Sequence, residues 1–337
     1  MQIGSHPIGP GHPVYIVAEA SSNHCQDFAT ARMLIEAAAD AGAHAVKFQS
    51  FTAEEIAVDI PILTGHDATH DAWVARMGVK TLHGLYAKGG LSRAWHKELK
   101  HIAEDVGLHF LSTPFSLDAA RFLVEDIGVP ALKIASGDLT FTPLLEYAAH
   151  LTDLPLLVST GMATLAEVRG TVYGPLAPAW ETDRICLLHC ASSYPLDPRE
   201  ANLRAIAMLG GAIHGPLVVT RKSHGEPSVL TAQICPVGYS DHTVSIEAIP
   251  ALAVALGAVV YEKHLRLDDA PESPDAGHSL TPEQFQRMVE VIRAVPQCLG
   301  DGEKRPQASE MHERLWTRRS LIDWKRPTDE ARAGTWS

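Results

Sequence analysis

The sequence lacks the marks of a secreted or membrane protein. Its five cysteines are odd in number, widely spaced and without a CxxC pair, which argues against a disulfide framework and favours a reducing cytosol. The N-terminus has neither the basic region nor the apolar run of a signal peptide. The longest apolar stretch, residues 244–261, contains Glu247 and Pro250. We therefore expect a cytoplasmic protein that does not span a membrane.

Basic residues are scarce. The chain has 28 Lys and Arg against 40 Asp and Glu, a net charge of −12, so a nucleic-acid partner is not expected because the phosphate backbone would be repelled. An anionic substrate would need a local basic pocket. Hydrophobic residues make up 46% of the 337 residues, which is enough for the core of one large domain.

Short apolar runs alternate with amphipathic helical segments along the chain. Such runs are typical of strands that are buried on both faces of a parallel sheet. Eight strand–helix units predict a single-domain α/β fold, the closed (β/α)₈ TIM barrel. The alternative is an open doubly wound sheet, but no GxGxxG follows the first run. The runs lie at residues 15–20, 45–50, 109–114, 131–136, 155–160, 185–190, 237–242 and 259–264.

Polar residues stand at the end of every run. Because the carboxyl ends of barrel strands share one mouth, we expect these side chains to converge. Strand alternation places Lys47 with Gln49, and Glu262 with His264, on common faces, and directs Lys263 the other way, towards the helices. The residues at the mouth are Glu19, Lys47, Gln49, Thr113, Lys133, Ser136, Ser159, Ser192, Tyr194, Ser240, His242, Glu262 and His264.

His242 and His264 end consecutive strands at matching positions. Two such imidazoles can approach one metal ion, and carboxylates and water can complete a mixed nitrogen and oxygen shell. We expect a divalent metal there, Mn²⁺ first, with Mg²⁺, Co²⁺ or Zn²⁺ as alternatives. Taken singly, each histidine would more often be a hydrogen-bonded strand-end residue. Their matching positions favour the metal site.

Lys47 and Lys133 belong to a basic, hydroxyl-rich patch with Thr113, Ser136 and Ser159. Ammonium groups beside neutral hydroxyl donors suit a ligand that carries both a phosphate and a carboxylate. As an alternative, either lysine could form a Schiff base, as in metal-free aldolases. The two histidines of metal-site type favour anion binding instead.

The strings around these residues resemble the sialic acid synthase (N-acetylneuraminate synthase) family and its bacterial relatives in surface-polysaccharide synthesis. They cover residues 13–300 in order, and the family's barrel is the fold expected above. The strings are IVAEASSNH, AGAHAVKFQSF, LSRAWHKELKHIAEDVG, FLSTPFS, LKIASGDLTFTPLLEYAA, LLVSTGMATLAEV, LLHCASSYP, VGYSDHT, GAVVYEKHLRLD and SPDAGHSLTPEQF.

The resemblance implies a role for each matching residue. His242 and His264 match the metal-binding histidines, and Ser192 and Tyr194 match the stretch that meets the acceptor sugar. Glu19, Glu262 and Asp275 match catalytic carboxylates near the reacting centre. The residues that match those holding phosphoenolpyruvate are Lys47, Gln49, Thr113, Lys133, Ser136 and Ser159, and Ser240 is placed with the substrate-binding set.

The chain departs from the family pattern in its first loop and at its C-terminal end. The family's AEIGxNHxG reads AEASSNHCQ here, so this loop has lost its glycines. Many members continue into a small antifreeze-like domain that covers the partner's active site. We expect a barrel over residues 1–300 and, over 301–337, a C-terminal tail that packs on it, without that domain. The long connection 51–91 is a candidate lid or acceptor-binding element.

The expected reaction is condensation of phosphoenolpyruvate with an amino-sugar aldehyde of the N-acetylmannosamine type. It gives a sialic acid and phosphate by C–O cleavage, with a homodimer as the possible assembly. One alternative is another phosphoenolpyruvate-using keto-acid sugar synthase with a different aldose, as in octulosonate and heptulosonate synthases. The other is a barrel that has lost catalysis and binds a sugar or a partner protein.

Overall fold

A computed structural model describes residues 1–65, 68–220, 229–269 and 271–334. The chain divides into two compact units, Met1–Pro296 and Gln297–Ser337. The first holds the barrel, and the second contains two short helices. The packing of residues 301–337 on the barrel stays a prediction. None of the helices in these ranges combines the length and apolar character needed to cross a membrane.

Within the described residues, eight parallel strands form the predicted (β/α)₈ barrel. The sheet order is β5-β4-β3-β12-β11-β8-β7-β6, and its two edge strands, β5 and β6, lie side by side to bring the ring nearly to closure. The strands are β1 Gln2–Ile3, β2 His6–Pro7, β3 Tyr15–Glu19, β4 Ala45–Ser50, β5 His109–Pro114, β6 Leu132–Ile134, β7 Leu156–Ser159, β8 Ile185–His189, β9 His214–Thr220, β10 Val229–Ile234, β11 Val237–Asp241 and β12 Val260–His264.

Helices follow the barrel strands, and several begin with a side-chain cap. Asp27 accepts from the backbone N–H of Thr30, and Thr164 and Glu167 form a capping box, which satisfies N–H groups that the helix leaves unpaired. The α-helices are α1 Phe28–Asp40, α2 Ala53–Ile56, α3 Ala68–Met77, α4 Leu82–Tyr86, α5 His96–Asp105, α6 Leu117–Arg121, α7 Thr142–His150, α8 Leu165–Tyr173, α9 Ala177–Glu181, α10 Arg204–Ala212, α11 Ala248–Ala255, α12 Pro282–Leu299, α13 Met311–Thr317 and α14 Asp329–Ala333.

The barrel interior is apolar at one end only. Val17, Leu111 and Leu157 point inward and pack with Ile3 and other residues of the N-terminal segment into a buried cluster. The opposite face of each strand packs against the helices in a larger core. Because side chains alternate along a strand, the next inward positions of β3, β5 and β7 lie one layer nearer the mouth.

A buried ion pair joins β11 and β12 on the side that faces the helices. Lys263 Nζ lies 2.9 Å from Asp241 Oδ2, and both side chains are fully buried. Tyr261 donates a second hydrogen bond to the same carboxylate at 2.7 Å, and Lys263 also donates to the carbonyl of Thr243. The predicted outward direction of Lys263 is confirmed.

We expect Lys263→Met to lower the free energy of unfolding by about 3–5 kcal/mol, because it leaves the Asp241 carboxylate buried without a counter-charge. Urea denaturation measures this change. The control is the double variant Lys263→Met/Asp241→Leu, which removes both charges and should cost clearly less. Equal losses in the two variants would contradict the assignment.

A group of aromatic rings surrounds the amino end of β3. The imidazole of His44 stacks on Tyr15 at 5.4 Å and lies 5.4 Å from the ring of His6, while His109 accepts or shares the Tyr15 hydroxyl proton at 2.7 Å. Burial, as the largest cause, together with His6, Arg293 and His109 lowers the pKa of His44 from 6.5 to about 4. His44 is therefore neutral in the folded protein at pH 5.

We expect the free energy of unfolding to fall as the pH drops from about 6.5 to about 4, because His44 takes up a proton in the unfolded chain but stays neutral in the folded protein. Above about pH 6.5, His44 is neutral in both the folded and the unfolded state and adds no pH dependence to the free energy of unfolding. His44→Gln should flatten the pH profile of the free energy of unfolding, whereas His12→Gln, at an exposed position, should not. Parallel profiles for wild type and His44→Gln would refute the assignment.

Candidate active site

The predicted strand-end residues lie together at the carboxyl mouth of the barrel. Their shared properties are an inward direction and burial, although each comes from a different part of the chain. They come together because the carboxyl ends of parallel barrel strands all lie on one rim. The buried members are Glu19, Lys47, Thr113, Lys133, Ser159, Ser240, His242, Glu262 and His264.

Lys47 sits between two carboxylates. Its ammonium contacts Glu19, lies 3.6 Å from Glu262 Oε2 and donates to Thr113 Oγ1 at 3.1 Å. Burial alone would lower the pKa of Lys47, but Glu19 and Glu262 together raise it. Burial raises the pKa of Glu19, which Lys47 opposes and Glu262 reinforces. Lys47 is thus firmly charged, and Glu19 is the more readily protonated partner.

Lys133 also interacts electrostatically with Glu262. Its ammonium donates to Ser159 Oγ at 2.7 Å and to the carbonyl of Ile134 at 3.1 Å. Burial lowers its pKa, which Glu262 opposes and Lys47 reinforces. Burial would raise the pKa of Glu262, but Lys47 and Lys133 bring it below its ordinary value, and Ser240 donates to Glu262 at 2.9 Å. Glu262 is therefore an ionised carboxylate that both lysines stabilise.

The wall beside Lys133 is built from small residues. Ser136 Oγ lies 3.0 Å from Cys190 Sγ and accepts from the backbone N–H of Gly161 at 3.0 Å. A Cβ at Gly161 would come within 2.4 Å of Ser192 Oγ and 2.8 Å of Ser136 Oγ. A side chain at Gly161 would force these hydroxyls to move, and the close approach brings the predicted residues Ser136 and Ser192 to one wall.

His242 is fixed in one tautomer by its backbone neighbour. Its Nδ1 lies 2.7 Å from the carbonyl of Ala191, so Nδ1 is the donor and Nε2 keeps its lone pair. The ring of His264 lies 5.7 Å away. Tyr194, which is half exposed, covers His242 with ring centroids 4.3 Å apart. The predicted acceptor residue therefore lies directly above the predicted metal histidines.

Sequence reasoning missed His278. One ring nitrogen of His264, one ring nitrogen of His278 and one carboxylate oxygen of Asp275 lie within 4.8 Å of one another. Asp275 and His278 bracket the 3₁₀ turn Ala276–His278, and a spacing of three residues puts both on one side of such a turn. The three-residue spacing of Asp275 and His278 in SPDAGHS is the signal in the sequence, but it indicates that the two side chains lie together only once the turn is known.

Asp275 is held by the loop after β3. Its Oδ2 accepts from Ser21 Oγ at 2.6 Å, from the Ser22 N–H at 3.2 Å and from the Ser22 hydroxyl. Ser21 also accepts from Gln49 Nε2 at 2.7 Å. Ser21 adopts φ 46°, a left-handed conformation that favours glycine, and its hydroxyl is part of this hydrogen-bond network.

The connection 51–91 lies at the same mouth, as predicted. It contains the three short helices α2, α3 and α4. Trp73 donates to the carbonyl of Pro274 at 3.2 Å, and Arg76 pairs with Glu272 at 3.0 Å. The connection is therefore joined to the segment that carries Asp275.

The residues present fit a divalent metal. His264 Nδ1 and His278 Nε2 are buried and have no hydrogen-bond partner, an arrangement that costs free energy unless something binds there. Burial lowers the pKa of His278 to about 4 and that of His264 well below its ordinary value, to which His278 and His242 also contribute. Both rings are neutral at pH 7, as metal ligands must be.

Comparison with known proteins gives a consistent result. The profile of the NeuB family matches residues 34–218 and 229–304. The chain is 35% identical over 320 residues to the N,N'-diacetyllegionaminic acid synthase of Legionella pneumophila, covering 94% of this chain and 82% of that protein. It is 32% identical over 310 residues to the human N-acetylneuraminate-9-phosphate synthase, covering 90% of this chain and 76% of that protein.

A solved structure shares the fold at similar identity. The N-acetylneuraminic acid (sialic acid) synthetase of Leptospira borgpetersenii, in complex with citrate, superposes with a TM-score of 0.74 at 32% identity. The match covers 93% of this chain and 94% of that one.

We expect Ser21→Gly to be more stable than Ser21→Ala by about 0.5–1 kcal/mol. Both lose the hydroxyl, but glycine removes a left-handed strain of about 1–2 kcal/mol at a chain-entropy cost of about 0.4–1 kcal/mol. Ser22, which is not in a left-handed conformation, provides the control: there the glycine variant should be the less stable one. Thermal unfolding of the four variants tests this, and the same order at both positions would contradict it.

Proposed function

This chain belongs to the NeuB family, and we propose that it condenses phosphoenolpyruvate with an N-acetylmannosamine-type amino-sugar aldehyde. The products are a nonulosonate of the sialic acid type and phosphate, made for surface polysaccharide. The single observation that carries the proposal is the shared mouth of two buried lysines and a histidine–carboxylate cluster. The named relatives make sialic or legionaminic acids, which supports the product class.

The lysine side of the mouth suits phosphoenolpyruvate. Lys47 and Lys133 both lower the pKa of Glu262, and each also has a hydroxyl partner, Thr113 and Ser159 respectively. Two ammonium groups with neutral hydroxyl donors match a ligand with a phosphate and a carboxylate. We assign Ser136 and Gln49 to the same ligand, as the family resemblance implies. This pocket overcomes the net negative charge of the chain locally.

The histidine side suits the aldehyde. When bound there, a divalent cation would supply Lewis-acid polarisation of the aldehyde carbonyl. Tyr194, directly above His242, would orient the acceptor sugar, with Ser192 on the neighbouring wall. The connection 51–91 is our candidate for closing over the acceptor, because it already contacts the segment beside Asp275.

The chain's own residues then direct the bond changes. Attack of phosphoenolpyruvate C3 on the aldehyde carbon forms the new C–C bond and leaves cationic character at C2, which the ionised Glu262 stabilises. Water adds at C2 and gives one proton to Glu19, whose raised pKa suits a general base, and this proton passes to the alkoxide formed from the aldehyde oxygen. The C2–O bond to phosphate then breaks while the C2 hydroxyl gives its proton to the departing phosphate, leaving the keto acid. Positioning of the two reactants could contribute up to ~7–11 kcal/mol.

The assay incubates the protein with phosphoenolpyruvate, Mn²⁺ and an acceptor panel, and measures phosphate release. We expect release with N-acetylmannosamine or another acetamido hexose, free or phosphorylated. Phosphoenolpyruvate carrying ¹⁸O at the bridging position should yield labelled phosphate, because C–O cleavage leaves that oxygen on phosphorus. Release only with a four- or five-carbon aldose phosphate would favour a heptulosonate or octulosonate synthase instead. No release with any acceptor would refute the proposal.

We expect Lys133→Met to lower kcat/KM for phosphoenolpyruvate by about 10- to 100-fold, since a hydrogen bond to a charged group contributes about 1.5–3 kcal/mol. Lys97→Met, at an exposed position of α5, is the matched control and should leave kcat/KM unchanged. An unaffected Lys133→Met enzyme would remove Lys133 from the binding site.

A further inference from the structure

We propose that His278 and Asp275 bind the same divalent metal ion as His264, so that this chain holds its metal through a ligand that the family resemblance does not assign. The resemblance places the metal on His242 and His264 and gives Asp275 a catalytic role. Among the described residues, the ligand-type atoms that lie within 4.8 Å of one another belong to a different group, His264, Asp275 and His278. The inference rests on the proposed use of a metal.

The first argument is the state of the two imidazoles. His278 is 2% exposed and His264 is 7% exposed, and each has a buried ring nitrogen without a hydrogen-bond partner. The rings lie 4.4 Å apart, edge to face. Each of these closely packed rings therefore buries a nitrogen that has no hydrogen-bond partner among the described residues, at a cost in free energy. A cation between them removes that cost.

The second argument is that the two carboxylate oxygens of Asp275 have different surroundings. Its Oδ2 is saturated by the hydroxyls of Ser21 and Ser22 and by the Ser22 N–H. Its Oδ1 lies 3.6 Å from His278 Nε2, too far for a hydrogen bond. One oxygen is therefore held by the loop after β3, and the other faces the histidines. A carboxylate that is oriented in this way is typical of a metal ligand.

The third argument is the stiffness of the platform. The backbone N–H of Leu280 donates to the carbonyl of His264 at 2.9 Å. The Asn23 amide donates to the Leu265 carbonyl and to Ser279 Oγ, both at 2.8 Å. These contacts tie the turn that carries His278 to the end of β12. The three ligand atoms are thus held together before any ion arrives, which lowers the entropic cost of binding.

The donor set also selects the kind of ion. Two imidazoles and one carboxylate favour Mn²⁺, Co²⁺, Zn²⁺ or Fe²⁺ over Mg²⁺, which prefers an all-oxygen shell. Three protein ligands leave further coordination positions open towards Tyr194 and His242, on the side assigned to the acceptor. We therefore expect Mg²⁺ to bind much more weakly than Mn²⁺.

The test titrates metal-free protein with Mn²⁺ alone and counts the bound nitrogens by pulsed electron paramagnetic resonance. His278→Ala should weaken Mn²⁺ binding by more than the ~10–100-fold loss typical of a residue that only supports a ligand, and should remove one nitrogen coupling. His101→Ala is the matched control, because His101 also lies 3.6 Å from an aspartate, Asp105, on the exposed face of α5. It should change neither quantity.

His278→Gln covers the case in which the alanine variant fails to fold, as judged by circular dichroism. It keeps a polar side chain of similar size and should still lose one nitrogen coupling. An unchanged nitrogen count with either variant would overturn the inference while leaving the proposed function intact, since that function is read from phosphate release. Failure of the wild-type protein to bind Mn²⁺, Co²⁺ or Zn²⁺ would overturn the metal site altogether.

Discussion

Burial of the Lys47 and Lys133 ammonium groups requires compensating carboxylates close by. Glu262 lies 3.6 Å from Lys47 and also interacts electrostatically with Lys133, and Glu19 contacts Lys47 directly. Without these acids the lysines would lose their charge, because a buried ammonium is strongly disfavoured. The mouth therefore stays close to neutral before substrate arrives. An anion that enters must compete with internal carboxylates, which explains why hydroxyl donors such as Thr113 and Ser159 accompany each lysine.

The same neighbouring charges shift the pKa values of Glu19 and Glu262 in opposite directions. Lys47 and Lys133 together hold Glu262 ionised, whereas burial and the repulsion of Glu262 raise the pKa of Glu19 more than Lys47 lowers it. Sequence reasoning could not rank them, because both end strands and both face inward. The ranking depends on which neighbours lie within a few ångströms, and only the folded chain supplies that information.

The barrel strands and the residues on their inner faces could be predicted from the sequence. Continuous apolar runs and a period of two are local properties, so Lys47 and Lys263 could be assigned opposite directions without coordinates. The Ser21–Asp275 contact joins residues 254 positions apart through two loops, and no local pattern encodes it. His278 was missed for the same reason: it follows the last strand in a turn, where periodicity gives no direction. The roles of the strand-end residues remain predictions.

The ion pair of Asp241 and Lys263 joins partner residues of neighbouring strands, each next to a histidine of the mouth. A slip of one residue between β11 and β12 would turn one charge of that pair away from the helices, leaving its partner buried there without a counter-charge, and would turn one imidazole away from the cavity. The same slip would thus cost free energy on both faces of the sheet. The ion pair on the helix-facing side therefore favours the alignment of β11 and β12 that places both histidines at the mouth, before any substrate is present.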